Sequence, residues 1–297
     1  MPTLLRLTAR LAACCAALLT LLGGAARADD GAHVFWEVAG AHNTVYLLGS
    51  VHVLHANDHA LPPVTEAAYA DAEKIVEELD LFAAAAEMLT PPAMAHQMLP
   101  AGQTLPAVLG PALHQRVQVA AKELGLDASF LAGMQPWFVA TMISELRLGK
   151  AGYSAQDGVD FQIAARAQRD GKPIVGLETL TQQLSFLSAM SMDEQREFLA
   201  ATLDEDASAS ELQEITAAWR RGDLQALEAL LRKGDAEMPE LFQRIVVDRN
   251  RNWLPRLEQM LADPADDYLV VTGALHMVGE QGLVELLRRK GYTVTRR

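Results

Sequence analysis

Two apolar runs, each closing on a glycine with a histidine three residues later, constrain this chain most. Thr44-Val45-Tyr46-Leu47-Leu48 leads into Gly49-Ser50-Val51-His52, and Tyr268-Leu269-Val270-Val271-Thr272 leads into Gly273-Ala274-Leu275-His276. Runs of this length and β-branched content read as buried strands. A strand that ends in glycine and then presents an imidazole carries that ring to the rim of a sheet. Two such deliveries, one near each end of the chain, predict a single site. Glycine at the turn permits positive φ or a close approach of another group to the backbone.

The first 28 residues read as a secretory leader rather than as fold. Arg6 and Arg10 precede an apolar stretch over 11–22, and Ala26-Arg27-Ala28 offers a small-x-small cleavage site. The stretch is shorter than the ~20 residues a spanning helix needs, so cleavage is read over an uncleaved anchor. Leu11-Ala12-Ala13-Cys14 resembles a lipoprotein box only superficially, because Arg10 abuts it. The expected address is the periplasm, with no membrane insertion after cleavage. Both cysteines, Cys14 and Cys15, fall in the leader, so the exported chain has no disulfide and relies on its core or on a metal. Losing Arg6, Arg10 and Arg27 takes the formal charge from −13 to −16. A surface this acidic repels phosphate backbones, which argues against a nucleic-acid partner.

Residues 29–297 read as one α/β domain. A hairpin is predicted from 34–38 and 44–48, a helix over 63–72 and a strand over 74–80. The pattern is helical over about 81–150, with an amphipathic helix over 111–124, and again over 180–261. A helix opens at Gly158-Val159-Asp160, a short strand runs over 174–177, and the chain closes on a strand, a helix over 283–290 and a last strand over 292–295. Strands alternating with helices at both ends predict a mixed, largely parallel sheet flanked by helices. The helix-rich middle is expected to form a cap or lobe. Ligands of such sheets lie beyond the carboxyl ends of the strands.

Several side chains fall at those ends. His52 and His276 carry the commonest metal-ligating group. Glu77, Glu78 and Asp80 end one strand, with Glu78 and Asp80 on one face and Glu77 on the other. Carboxylates crowded at a rim raise one another's pKa unless a cation compensates, and a divalent ion is the simplest. Glu178 ends another strand and suits either orienting a histidine or accepting a proton; its bland reading is a carboxylate at a helix start. Asp160 stands at a helix start, where the dipole favours an acid in any case. Arg249 suits an oxyanion or an ordinary ion pair. His55 and His59 follow the first motif and read as loop residues. No His-Glu-x-x-His, Gly-x-Ser-x-Gly or phosphate-binding glycine loop is present, which removes weight from serine-hydrolase and nucleotide-binding readings.

Taken in order, these pieces resemble the TraB/GumN family, whose animal relatives include the Tiki proteases. The anchors are Tyr46-Leu47-Leu48-Gly49-Ser50-Val51-His52, Glu77-Glu78-Leu79-Asp80, Gly158-Val159-Asp160 and Gly176-Leu177-Glu178-Thr179 with Gln183. Trp219 with Gly222-Asp223, Arg249-Asn250, and Gly273-Ala274-Leu275-His276 through to Gly291-Tyr292 complete the set. The resemblance implies an α/β fold like that of the erythromycin-esterase and haem-binding ChaN superfamily. It also implies a metal-dependent hydrolase, with Mn, Co, Fe or Zn held by His52, His276 and Glu78. Glu178 or Asp80 is then expected to take a proton, Asp160 to assist, and Arg249 to stabilise an oxyanion. A peptide or other small molecule is the expected substrate. The competing expectation is a module that binds haem, iron or another ligand without turnover.

Overall fold

The computed structural model describes residues 33–55, 61–204 and 207–297, excluding the side chains of 207–209. The leader and His59 lie outside them. The described residues contain eight strands: β1 (Phe35–Ala39), β2 (Thr44–Ser50), β3 (Leu54–His55), β4 (Lys74–Glu77), β5 (Tyr153–Ser154), β6 (Ile174–Gly176), β7 (Tyr268–Gly273) and β8 (Val294–Arg296). Six form one sheet in the order β6-β4-β7-β2-β1-β8, while β3 and β5 make a separate two-stranded ribbon. The pairings β6–β4, β4–β7 and β7–β2 are parallel; β2–β1 and β1–β8 are antiparallel. The fold is therefore the mixed, mostly parallel α/β sheet expected. Every residue of β7 is buried, as the interior strand of a covered parallel sheet must be.

Register aligns the strand ends. Ser50 of β2 pairs with Gly273 of β7, and Glu77 of β4 pairs with Val271 of β7 and Gly176 of β6. Four neighbouring parallel strands thus finish at one rim. The next few residues of each carry His52, His276, Glu78 and Glu178.

Apolar burial is divided. Phe35, Trp36, Leu47, Ile75, Val270 and Trp253 belong to the core on the sheet. Helices Leu105–Leu124, Pro136–Lys150 and Met192–Thr202 bury Val117, Ile143 and Leu199 in a core of their own, whereas the later helices bury Trp219, Leu227 and Leu257 in the sheet core. A third cluster joins Leu79 and Leu180, each just past a strand end, to Trp137 and Leu241.

One local expectation needs correction. The strand read over 74–80 stops at Glu77, because the Asp80 carboxylate accepts from the N–H groups of Phe82 and Ala83 and starts the helix Leu81–Glu87. The helix read over 111–124 is present: Gly110, at φ 71° and ψ 170°, separates it from a short helical stretch that starts at Leu105. The helical pattern over 180–261 ends in a stretch that opens as Pro239–Phe242, widens into a π-helical segment over Gln243–Asp248 and continues as Arg249–Leu261. Such a widening is often found at functional sites. Here Arg249, Asn250 and Trp253 follow it and are all buried.

Candidate functional site

Both histidines approach one carboxylate. His52 Nε2 lies 3.7 Å and His276 Nε2 3.9 Å from Glu78 Oε1, which also accepts from the Gly273 N–H at 2.8 Å. Gly273 has φ −48°, so positive φ is not why glycine stands there. A Cβ on it would sit 3.2 Å from His52 Nε2 and 3.4 Å from Glu78 Oε1. A side chain there would press on His52 and Glu78, which glycine avoids.

Each ring is held through its other nitrogen. His52 Nδ1 is 2.9 Å from Asp160 Oδ2. A carboxylate only accepts, so Nδ1 carries the hydrogen. Asp160 is in turn fixed by Ser50, whose Oγ donates to Oδ1 at 2.6 Å. The helix start bearing Asp160 packs on the first motif itself: the Val159 N–H donates to Val51 O at 3.0 Å, and a Cβ on Gly158 would fall 2.1 Å from His52 O. His276 Nδ1 is 2.7 Å from Asn250 Oδ1. The Asn250 amide donates to the carbonyls of His276 and Gln281 at 3.2 and 2.8 Å, which leaves Oδ1 facing the ring as acceptor. Both rings therefore present Nε2 to Glu78.

Arg249 occupies the centre. Its guanidinium donates to Glu78 Oε2 at 2.5 Å and to both oxygens of Glu178, at 2.6 and 3.2 Å. Nη1 lies 3.3 Å from His276 Nε2. Trp253 stacks beneath, with its ring centroid 4.6 Å from the guanidinium, and its Nε1–H donates to Glu178 at 3.2 Å.

These contacts set the charges. Burial works to raise Glu78, but Arg249, His52, His276 and the Gly273 N–H together hold it well below the usual carboxylate range. The compensation expected from a divalent ion is thus met, for Glu78, by an arginine. The Asp160 carboxylate pushes His52 up, to about 10, with Glu78 adding to it. Its side chain is 58% exposed, so water screens that attraction. Burial, Arg249 and His52 push His276 down, to about 3. Glu77 is the last residue of β4. It is 1% exposed, neither of its oxygens has a partner, and burial with Asp160 nearby pushes it up, to about 9.

The structure gathers His52, His276, Glu78, Glu178, Arg249 and Asp160, and redistributes their work. Glu178, read as a proton acceptor, has both oxygens committed to Arg249 and Trp253. Asp80, read the same way, caps a helix. Asp160 orients His52. Arg249, read for an oxyanion, neutralises two carboxylates. His55 turns aside onto Tyr153, with ring centroids 3.9 Å apart. Asn250 and Trp219 were visible only as motif letters. Asn250 is fully buried against His276, and Trp219 Nε1–H holds the Gly49 carbonyl at 2.7 Å. A polar residue beside an arginine in an apolar-faced helix was the available signal for Asn250.

The sequence profile of the TraB/PrgY/gumN family matches residues 34–296. The chain belongs to this family. Among similar proteins, YbaP of Escherichia coli (strain K12) is 27% identical over 249 residues, covering 82% of this chain and 87% of that one. A Treponema pallidum (strain Nichols) protein is 21% identical over 275 residues, covering 86% and 80%. The metalloprotease TIKI1 of Danio rerio is 24% identical over 300 residues, covering 84% of this chain and 60% of its own length. No solved structure matches. Every strand-end residue of the site falls within the family match.

Among the described residues, no three His, Cys, Asp or Glu side chains form a ready metal cluster. The donors nonetheless fit a cation in kind. Two imidazoles with hydrogen-bonded Nδ1 atoms and one carboxylate are a usual ligand set, and the Asp160 and Asn250 contacts are the usual support behind one.

Proposed function

We propose that this protein is a metal-dependent hydrolase of peptide or amide bonds. His52, His276 and Glu78 would hold a divalent cation of the Mn, Co, Fe or Zn group. The observation that carries the reading is the pair of Nε2 atoms aimed at one Glu78 oxygen, each ring tethered behind by an oxygen acceptor. The distant likeness to a metalloprotease supports the reaction class. A cation bound there would acidify water and polarise a carbonyl.

The chain's own groups do the rest. Asp160 and Asn250 fix which nitrogen of each imidazole is available. Arg249 keeps Glu78 ionised, and Glu178 with Trp253 keeps Arg249 in place. His52 is the most open of these groups, so substrate enters on its side. His276, buried and neutral, offers a lone pair throughout the neutral range. A secretory leader over residues 1–28 would put the activity in the periplasm; no helix among the described residues is long and apolar enough to cross a membrane.

Metal analysis of purified wild type, His52→Ala and His276→Ala tests this. Wild type is expected to retain about one equivalent of Mn, Co, Fe or Zn, and both variants to lose it. Wild type at background sinks the proposal. Chelator-sensitive peptide cleavage extends it. A Soret band on haem titration that vanishes in His52→Ala would transfer the site to the ligand-binding alternative.

A further inference from the structure

Three phenylalanines are out of place for a protein with three apolar cores. Phe82, Phe161 and Phe186 are half-buried, yet none packs on any of the cores. All three stand by the polar site. Phe161 follows Asp160 directly. Phe82 lies two residues past Asp80 and donates its N–H to that carboxylate at 3.1 Å. The two rings meet with centroids 6.0 Å apart and planes at 48°, a tilted pairing that suits aromatic quadrupoles. Phe186 lies over Arg249, 5.9 Å from its guanidinium.

A phenyl ring left partly in water forgoes some of the gain from burying an apolar surface. Three rings doing so around a charged cluster leave apolar surface where a substrate must pass. The geometry points to an apolar subsite, built on Phe82 and Phe161 and flanked by Phe186, that takes an uncharged apolar side chain of a peptide beside the bond to be cut. This rests on the hydrolase reading for the peptide, though not for the apolar preference itself.

Charge narrows the occupant. Asp80 and Asp160 sit one or two residues from the paired rings, so an acidic side chain is repelled. A basic one gains little, because each carboxylate already has partners: Asp160 holds Ser50 and His52, and Asp80 holds two backbone N–H groups. An apolar group has no such competition. Phe or Leu then gains the area that the rings leave open.

The test is binding by calorimetry, with cleavage measured alongside. The probes are blocked pentapeptide amides, glycine except for a central Phe, Leu, Ser, Lys or Glu. Wild type is expected to bind the Phe and Leu peptides about tenfold more tightly than the Ser peptide, the scale of a modest apolar pocket. Phe82→Ala and Phe161→Ala should each erase most of that ratio, while Phe82→Leu and Phe161→Leu keep most of it. Melting curves show whether each variant is folded, and the leucine variants carry the test if the alanine ones are not. Equal binding of Phe and Ser, preference for Lys, or a ratio that survives both alanine changes overturns the subsite. Apolar preference without any cleavage overturns the hydrolase reading and leaves the subsite standing.

Discussion

The two Gly-x-x-His arms share a local plan and end in opposite electrostatic states. His52 stands largely open to water, paired with a carboxylate that pushes it up to about 10. His276 is buried, paired with a neutral amide and faced by Arg249, and is pushed down to about 3. The surroundings thus favour the proton on one ring and disfavour it on the other, and a cation bound at Nε2 would have to displace that proton from His52. The tetrapeptide delivers a ring; the partner at Nδ1 and the burial decide its proton. Their contributions to stability run in opposite directions. The His52 contribution is present below the unfolded value near 6.5 and lost as pH rises through about 10. The His276 contribution is present above 6.5 and lost as pH falls toward 3.

The comparison breaks most severely at Arg249, which touches the His276 arm and holds Glu78 for both. Arg249→Met leaves Glu78 and Glu178 buried without their counter-ion. The expected loss is about 3–5 kcal/mol, read from urea unfolding midpoints; a loss under about 1 kcal/mol would show that the carboxylates do not depend on it.

Exchanging the tethers sharpens the comparison. Asp160→Asn should bring His52 back toward its ordinary value, and Asn250→Asp should raise His276, both followed by NMR titration of the imidazoles. Asp160→Asn should also weaken the proposed cation site by roughly 10–100-fold, the usual cost of removing such support. Unmoved titration curves would show that the tethers do not set the protons.

The smallest effect tests an unpaired acid on the Asp160 side of β4. Glu77 is buried with a raised pKa, so its contribution is present below the unfolded value near 4.5 and lost as pH rises through about 9. Glu77→Leu should therefore stabilise the protein by about 1 kcal/mol or more, and by more at pH 8 than at pH 5. Thermal melts at the two pH values decide it, and equal gains would contradict a raised Glu77.

Much of the frame was legible. The apolar runs before Gly49 and Gly273 gave β2 and β7 because a strand buried on both faces has to be apolar throughout. The alternation of strands and helices at both ends gave the mixed, mostly parallel sheet. The partners were not legible. Glu178 and Asp80 have the same local credentials as Glu78, a carboxylate at a strand end. One meets Arg249, the other meets two N–H groups, and neither partner is signalled by nearby sequence. The π-helical segment before Arg249 has no distinctive letters, because it answers packing rather than propensity.

Sequence alone determined that imidazoles and a glutamate would stand at the ends of sheet strands, since hydrophobic period and glycine placement act over a few residues. The family too was legible, through motifs spread along residues 34–296. Only the tertiary structure decided what each group does there. Protonation depends on burial and on charges a few ångströms away, and these were supplied by residues far along the chain: Asp160 for His52, Asn250 for His276, and Arg249 for Glu78.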